Sequence, residues 1–304
     1  MKVRKKQKAI WYFLSALLGL KLHTNSPKSS TPFPQLLIIL PTTNRPTPMQ
    51  QLFDLRGKTA LVTGASSGMG KAIAEALGAH GAKVIVSSND AGGCEDTVDE
   101  LIQKGISALA LPCDVAQSAE RQQLYTLATQ TWGTIDILVS CVGIAAPSPF
   151  LDIQEETFTQ IIELNLHSAL HLSQLFLPGM QAQKDGVIIF LASIASVRGN
   201  KSIGLYGITK AGIAQMARNL AVEFGPDNIR VNAISPGLID TPFSKSLLEN
   251  SAFMERRLAL TPLRRVGTPE EIAGVAVLLA SPAGAFITGQ NLIVDGGTTI
   301  SDGS

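Results

Sequence analysis

The stretch Thr59-Ala60-Leu61-Val62-Thr63-Gly64-Ala65-Ser66-Ser67-Gly68-Met69-Gly70 decides the reading of the fold. Residues 59–63 form a short, continuous apolar and β-branched run. Such a run reads as a strand covered on both faces, because a strand with one wet face alternates polar and apolar residues. Three glycines follow at the spacing Gly64-x3-Gly68-x-Gly70, and residues 71–80 then take up the i, i+3, i+4 apolar spacing of a helix. Glycines at a strand-to-helix turn let the backbone close sharply and approach a pyrophosphate, while the helix N-terminus offers N–H donors and a favourable dipole. The turn therefore suits a phosphate-bearing cofactor, with a structural bend as the lesser alternative for an isolated copy.

Outward from this turn the alternation repeats. Strands are predicted at 83–88, 108–111, 135–139, 187–192, 229–234 and 291–294, several of them unbroken apolar runs such as IDILV and VIIFL. Helical spacing fills the intervals, most clearly at 156–180 and 211–224. Right-handed crossovers then give an α/β fold, a single-domain doubly wound parallel sheet of about seven strands with helices on both faces, the Rossmann arrangement. A chain of 304 residues, 45% hydrophobic, supplies one sizeable core rather than two. With 25 Lys+Arg against 24 Asp+Glu, no broad attraction for nucleic acid is expected. Small molecules are the expected partners.

The three cysteines, Cys94, Cys113 and Cys141, are odd in number and form no CxxC pair, so free thiols in a reducing compartment are expected. His167 and His171 share a helix face without the glutamate that a zinc-hydrolase pattern requires, and no metal is expected there. Residues 1–48 differ in kind. Lys2, Arg4, Lys5, Lys6 and Lys8 precede an apolar run at 10–20 that is too short to span a bilayer and resembles the start of a signal peptide, with no clean cleavage site after it. The expectation is that 1–48 is an extension outside the fold, that Met49 is the true start, and that 49–304 is the catalytic domain. Export or membrane contact follows only if the extension is translated and retained.

Tyr206 and Lys210 stand four apart in Tyr-Gly-Ile-Thr-Lys, so on a helix both emerge from one face. The ammonium is expected to favour the phenolate and to lower the tyrosine pKa toward the range of a general acid/base. Ser193 lies thirteen residues earlier, at the end of the apolar strand VIIFLAS, where its hydroxyl can bond the reacting oxygen. A lone YxxxK arises readily by chance; its neighbours give it weight.

Together these motifs resemble the short-chain dehydrogenase/reductase family over residues 55–297, in particular its 3-oxoacyl-carrier-protein reductase-like and carbonyl reductase-like members. The resemblance implies NAD(P)-dependent hydride transfer between nicotinamide and a carbonyl or secondary alcohol, with Asn165, Ser193, Tyr206 and Lys210 as an ordered tetrad. The main chain of Asn165 would hold a water linking Lys210 to solvent. For the cofactor it implies Gly64, Ser66, Ser67, Gly68, Met69 and Gly70 at the phosphates, and Asp114 with Val115 at the adenine. Gly143, Tyr206, Lys210, Pro236, Gly237, Ile239 and Thr241 would serve the nicotinamide side. The family's acidic slot for an NAD ribose matches Ser88 and its basic slot matches Asn89, so the sequence leans to NADP over NAD, although Ser67 lacks the basic character of many NADP users. Ser140-Cys141-Val142-Gly143 departs from the family's NNAG and keeps only the glycine, which puts local stability and cofactor affinity in question. The resemblance also implies a mobile lid at 243–263 and a cytoplasmic homotetramer built on 156–180 and 206–224. It leaves the substrate open. Two other readings compete: a non-catalytic dinucleotide sensor or scaffold, and a nucleotide-sugar epimerase, which needs a larger C-terminal domain than this chain has.

Overall fold

The computed structural model describes Met49 and residues 51–301; the extension expected at 1–48 lies outside the described residues. Seven strands form one sheet in the order β3-β2-β1-β4-β5-β6-β7. They are β1 (Thr59–Thr63), β2 (Lys83–Ser87), β3 (Ala108–Ala110), β4 (Ile137–Ser140), β5 (Gly186–Leu191), β6 (Ile229–Pro236) and β7 (Asn291–Val294), and every pairing is parallel. The order reverses between β1 and β4, whose C-terminal ends meet at Thr63 and Ser140. In a doubly wound sheet this reversal opens the crevice where ligands bind.

The unbroken apolar strands have the cause read from the sequence. Alternate residues of β1 feed two separate cores: Ala60 and Val62 pack on one face with Ile73, Leu77 and Ile272, and Leu61 packs on the other with Leu138, Leu172 and Ile213. Each face is closed by helices. One carries α1 (Gly68–Ala79), α2 (Ala91–Gln103) and, in sequence further on, Pro269–Ala280; the other carries α3 (Ser118–Trp132) and the long helices described next.

Four predicted elements change in instructive ways. The helix read over 156–180 is helical from Glu155 to Gln183, but as α4 (Glu155–Ile162), a π turn (Glu163–His167) and α5 (Ser168–Gln183). α6 (Gly204–Phe224) starts seven residues before the predicted 211 and so carries Tyr206 within its first turn. β4 begins at Ile137 instead of 135, and β6 extends two residues past 234 to Pro236, delivering the Pro-Gly turn to the crevice. The predicted lid holds two short helices, α7 (Lys245–Leu248) and α8 (Ser251–Ala259), and α9 (Pro269–Ala280) follows. Among the described residues no helix is long and apolar enough to cross a membrane.

Candidate active site

The glycine turn sits at the mouth of the crevice. Gly64 and Gly68 adopt φ of +67° and +54°, where a side chain is strained. A Cβ on Gly70 would overlap the carbonyl of Gly64, so the first turn of α1 can lie against the turn only as glycine. Ser67 is the N-cap of α1 but its hydroxyl caps nothing, which leaves the first backbone N–H groups open to an anion. Across the crevice Thr241 approaches so closely that a Cβ on Gly68 would touch its Cγ2 at 3.3 Å. Thr241 is buried, held in a reciprocal cap with Ser244, and follows Gly237 and Ile239; Gly237 N–H donates to Val294 at 2.9 Å, and Ile239 bridges to Gly267. These residues fit a diphosphate lodged between the turn and the Pro236-Gly237 segment.

At the end of β2 the Ser66 hydroxyl donates to Ser88 Oγ at 3.0 Å. Asp90 does more than begin a loop: its carboxylate caps α2 by accepting the Gly93 N–H at 3.0 Å, and Asn89 separates it from Ser88. No carboxylate therefore occupies the Ser88 slot. Asp114 accepts the Ala116 N–H at 3.0 Å, shaping the turn after β3, and Val115 is buried beside it. Met69 packs on the core beneath the turn.

The four residues of the expected tetrad come together at the other end of the crevice. Ser193 lies two residues beyond β5, its Oγ accepting the Ala195 N–H at 3.1 Å, and it stands near enough to the Tyr206 phenol to lower its pKa. Lys210, 3% exposed, places Nζ 5.6 Å from the Tyr206 ring centre and donates to the Leu191 carbonyl at 2.7 Å. Asn165, on the π turn, accepts the Ile144 N–H at 2.8 Å and donates to the Ile144 carbonyl at 2.9 Å and to Thr209 Oγ1 at 3.1 Å. Thr209 in turn donates to the Tyr206 carbonyl at 2.8 Å. A π turn widens the helix locally and is frequent at functional sites; here it aims Asn165 at the loop after β4.

That loop also explains the surviving glycine. A Cβ on Gly143 would lie 2.9 Å from Lys210 Nζ and 3.4 Å from Asn165 Oδ1, so a larger residue displaces the ammonium. Val142 instead fills space against Gly64, and Cys141 lies close enough to Lys210 for their charges to interact.

The electrostatics correct one expectation. Lys210 does not pull the Tyr206 pKa down. Burial is the largest influence and raises it; the nearby Ser193 hydroxyl only partly offsets this. Burial likewise pushes the Lys210 ammonium down to about 8, and the Cys141 thiol up to about 11. The physical reason is desolvation, which penalises the charged form of both groups.

Sequence reasoning missed Ile144, Thr209 and Arg121. Arg121 is fully buried and donates to the Val115 carbonyl, to Glu163 Oε1 at 2.9 Å and through Nε to His171 Nδ1 at 2.8 Å. It ties the adenine-side loop to the π turn. His167 bonds the other oxygen of Glu163 at 2.6 Å, so both histidines serve this network. Among the described residues no group of metal-ligating side chains assembles. Phe243, at the start of the predicted lid, lies 6.4 Å from the Tyr206 ring.

Comparison with known proteins points the same way. The family model described as enoyl-(acyl carrier protein) reductase matches residues 64–299. A tropinone reductase homolog of Arabidopsis thaliana is 41% identical over 254 residues, 83% of each chain. The crystal structure of a 7alpha-hydroxysteroid dehydrogenase complexed with NADH and 7-oxo glycochenodeoxycholic acid is 39% identical, covers 81% of this chain and 96% of its own, and superposes with a TM-score of 0.79. A gluconate 5-dehydrogenase from Burkholderia cenocepacia, in complex with NADP and tartrate, is 28% identical over 83% of this chain and 98% of its own, with a TM-score of 0.80.

Proposed function

The chain belongs to the short-chain dehydrogenase/reductase family, and from that premise we propose that Tyr206 is its general acid/base, supported by Ser193, Lys210 and Asn165. The enzyme is an NAD(P)-dependent oxidoreductase acting on CH–OH and C=O groups. The observation that carries the residue assignment is that Ser193 and Lys210 both lie beside one phenol at the crevice end of β5.

The nicotinamide nucleotide, when bound, supplies or accepts the hydride. The chain does the rest. Ser193 holds the substrate oxygen by a hydrogen bond, and Tyr206 gives that oxygen its proton in reduction or takes it in oxidation. A phenol kept neutral by burial is ready as a donor. Lys210, with its pKa lowered to about 8, exchanges protons near neutrality beside the phenol. Asn165 and Thr209 fix the helix that carries both. Tyr206→Phe is expected to lower kcat by about 10²–10⁴-fold while leaving dinucleotide binding intact; turnover near wild type removes the assignment.

The reading of the cofactor is NADP in preference to NAD. It is supported by the absence of a carboxylate at Ser88 and by the engagement of Asp90 as a helix cap. The ratio of kcat/KM with NADPH to that with NADH is expected to exceed one. We further read 49–304 as the catalytic domain, acting in the cytoplasm on a small carbonyl or alcohol as a homotetramer.

A further inference from the structure

Tyr206 has an anchor of its own: Asn165 donates to Thr209 Oγ1 at 3.1 Å, and Thr209 donates to the Tyr206 carbonyl at 2.8 Å. Ser193 comes from a different element. It caps a single 3₁₀ turn, Ile194–Ser196, so its separation from the phenol is set by where that turn lies. A lone turn has few backbone bonds to hold it: Ser196 N–H donates to the Ser193 carbonyl at 2.8 Å and Val197 N–H to the Ile194 carbonyl at 3.2 Å. It rests on α6 so closely that a Cβ on Gly207 would stand 3.0 Å from the Ala195 carbonyl.

The turn is also tied to the sheet, by a closed ring of side-chain hydrogen bonds. Ser235 Oγ donates to Asn291 Oδ1 at 2.7 Å, Asn291 Nδ2 donates to Ser196 Oγ at 3.2 Å, and the Ser196 and Ser235 hydroxyls lie 3.1 Å apart. The supply of protons fixes the direction of the third bond. The Asn291 carbonyl oxygen only accepts, so the Ser235 proton is committed to it and Ser196 is the donor to Ser235. Each member then donates once and accepts once within the ring, and bonds running in one sense reinforce one another. Ala233 pairs with Asn291 across β6 and β7, and Ser235, two residues further on, faces the same side. Ser235 is fully buried, while Ser196 and Asn291 are half-buried. Three apolar side chains of similar size would fill this space at little cost in stability. They would not fix the turn at a set distance and angle, which directional bonds do.

We propose that Ser196, Ser235 and Asn291 are positioning residues for Ser193: their ring ties the 3₁₀ turn to β6 and β7 and so sets the Ser193 hydroxyl against Tyr206. The inference rests on the oxidoreductase reading above and extends the working parts of the site to the edge strand of the sheet. A group that acts on the reacting oxygen loses on the order of 10²-fold in rate when misplaced by about 1 Å, so a loosened turn is read in kcat.

The test uses the full-length enzyme with a panel of simple ketones and α-diketones and both reduced dinucleotides. Ser196→Ala is expected to lower kcat about tenfold and to leave dinucleotide affinity unchanged. Ser196→Thr, which keeps the hydroxyl, is expected to retain most of the rate. In a Ser193→Ala background the same Ser196→Ala change is expected to cost nothing further, because the group it positions is gone. A triple variant separates position from stability. Ser196→Ala alone leaves Asn291 and Ser235 each short of a partner and lowers the melting temperature. Adding Ser235→Ala and Asn291→Leu removes those orphans and is expected to recover much of the melting temperature while kcat stays low. Ser196→Ala at the wild-type rate, additive losses with Ser193→Ala, or a triple variant that regains kcat along with stability overturns the proposal and leaves the oxidoreductase reading standing. Ser193→Ala as fast as wild type removes Ser193 from the mechanism and the proposal with it. Failure of every ketone to show Tyr206-dependent turnover overturns the oxidoreductase reading as well.

Discussion

Tyr206 and Lys210 stand one helical turn apart on α6, and burial moves them in opposite directions: the phenol up, the ammonium down to about 8. The consequence is a direction-dependent pH profile. With the tyrosine pKa raised, the proton donor needed for carbonyl reduction is present across neutral pH, so reduction is expected to stay level and fall only under alkaline conditions. Oxidation needs the tyrosinate and is expected to rise with pH over the same range. Steady-state kcat/KM measured in both directions checks this, and an oxidation rate that is flat from pH 6 to 10 contradicts it. The positions of the tetrad were legible in the sequence because a four-residue spacing and a strand end are sequence properties. The sign of the pKa shift was not, because it depends on desolvation by residues that folding brings around the pair.

At the scale of elements, the π turn at Glu163–His167 is the feature that periodicity concealed. One extra residue in a turn rotates the following helix without destroying its apolar face, so residues 156–180 read as uniform helix. What holds the turn is Arg121, reaching from α3 to Glu163, His171 and the Val115 carbonyl. Removing the guanidinium leaves a buried carbonyl and a carboxylate without their donor. Arg121→Met is expected to lower the unfolding free energy by about 2–3 kcal/mol, below the 3–5 typical of a fully buried pair because Glu163 is a third exposed. Urea denaturation measures this. The double variant Arg121→Met, Glu163→Gln is expected to recover part of the loss, because the orphaned charge goes with the pair; a strictly additive double variant contradicts the account. The same network joins the adenine-side loop to Asn165, so the single variant is expected to raise the KM for dinucleotide as well.

For the whole molecule, alternation of apolar strands and amphipathic helices was enough to read the sheet, since both faces of a parallel sheet must be covered. The segment 243–263 was read as a lid without its helices, because α8 has to be placed before its half-buried face, Phe253, Met254, Arg257 and Leu258, can be told from its exposed one. The same limit applies to assembly. α5 and α6 bury one side against the sheet and α4 packs on α6, yet Phe158, Leu170 and Ile208 stay exposed at 43%, 37% and 54%. Large apolar side chains left in water on neighbouring helices are what an interface between copies covers. In the proposed tetramer these positions are buried, and a carboxylate introduced there loses its hydration against an apolar partner. Light scattering is expected to give four chains for the wild type and fewer for Phe158→Asp with Leu170→Asp. Dinucleotide affinity is expected to hold in that variant, because the glycine turn and the tetrad come from a single chain. A monomeric wild type at working concentration contradicts the assembly, and a variant that keeps four chains moves the interface away from these helices.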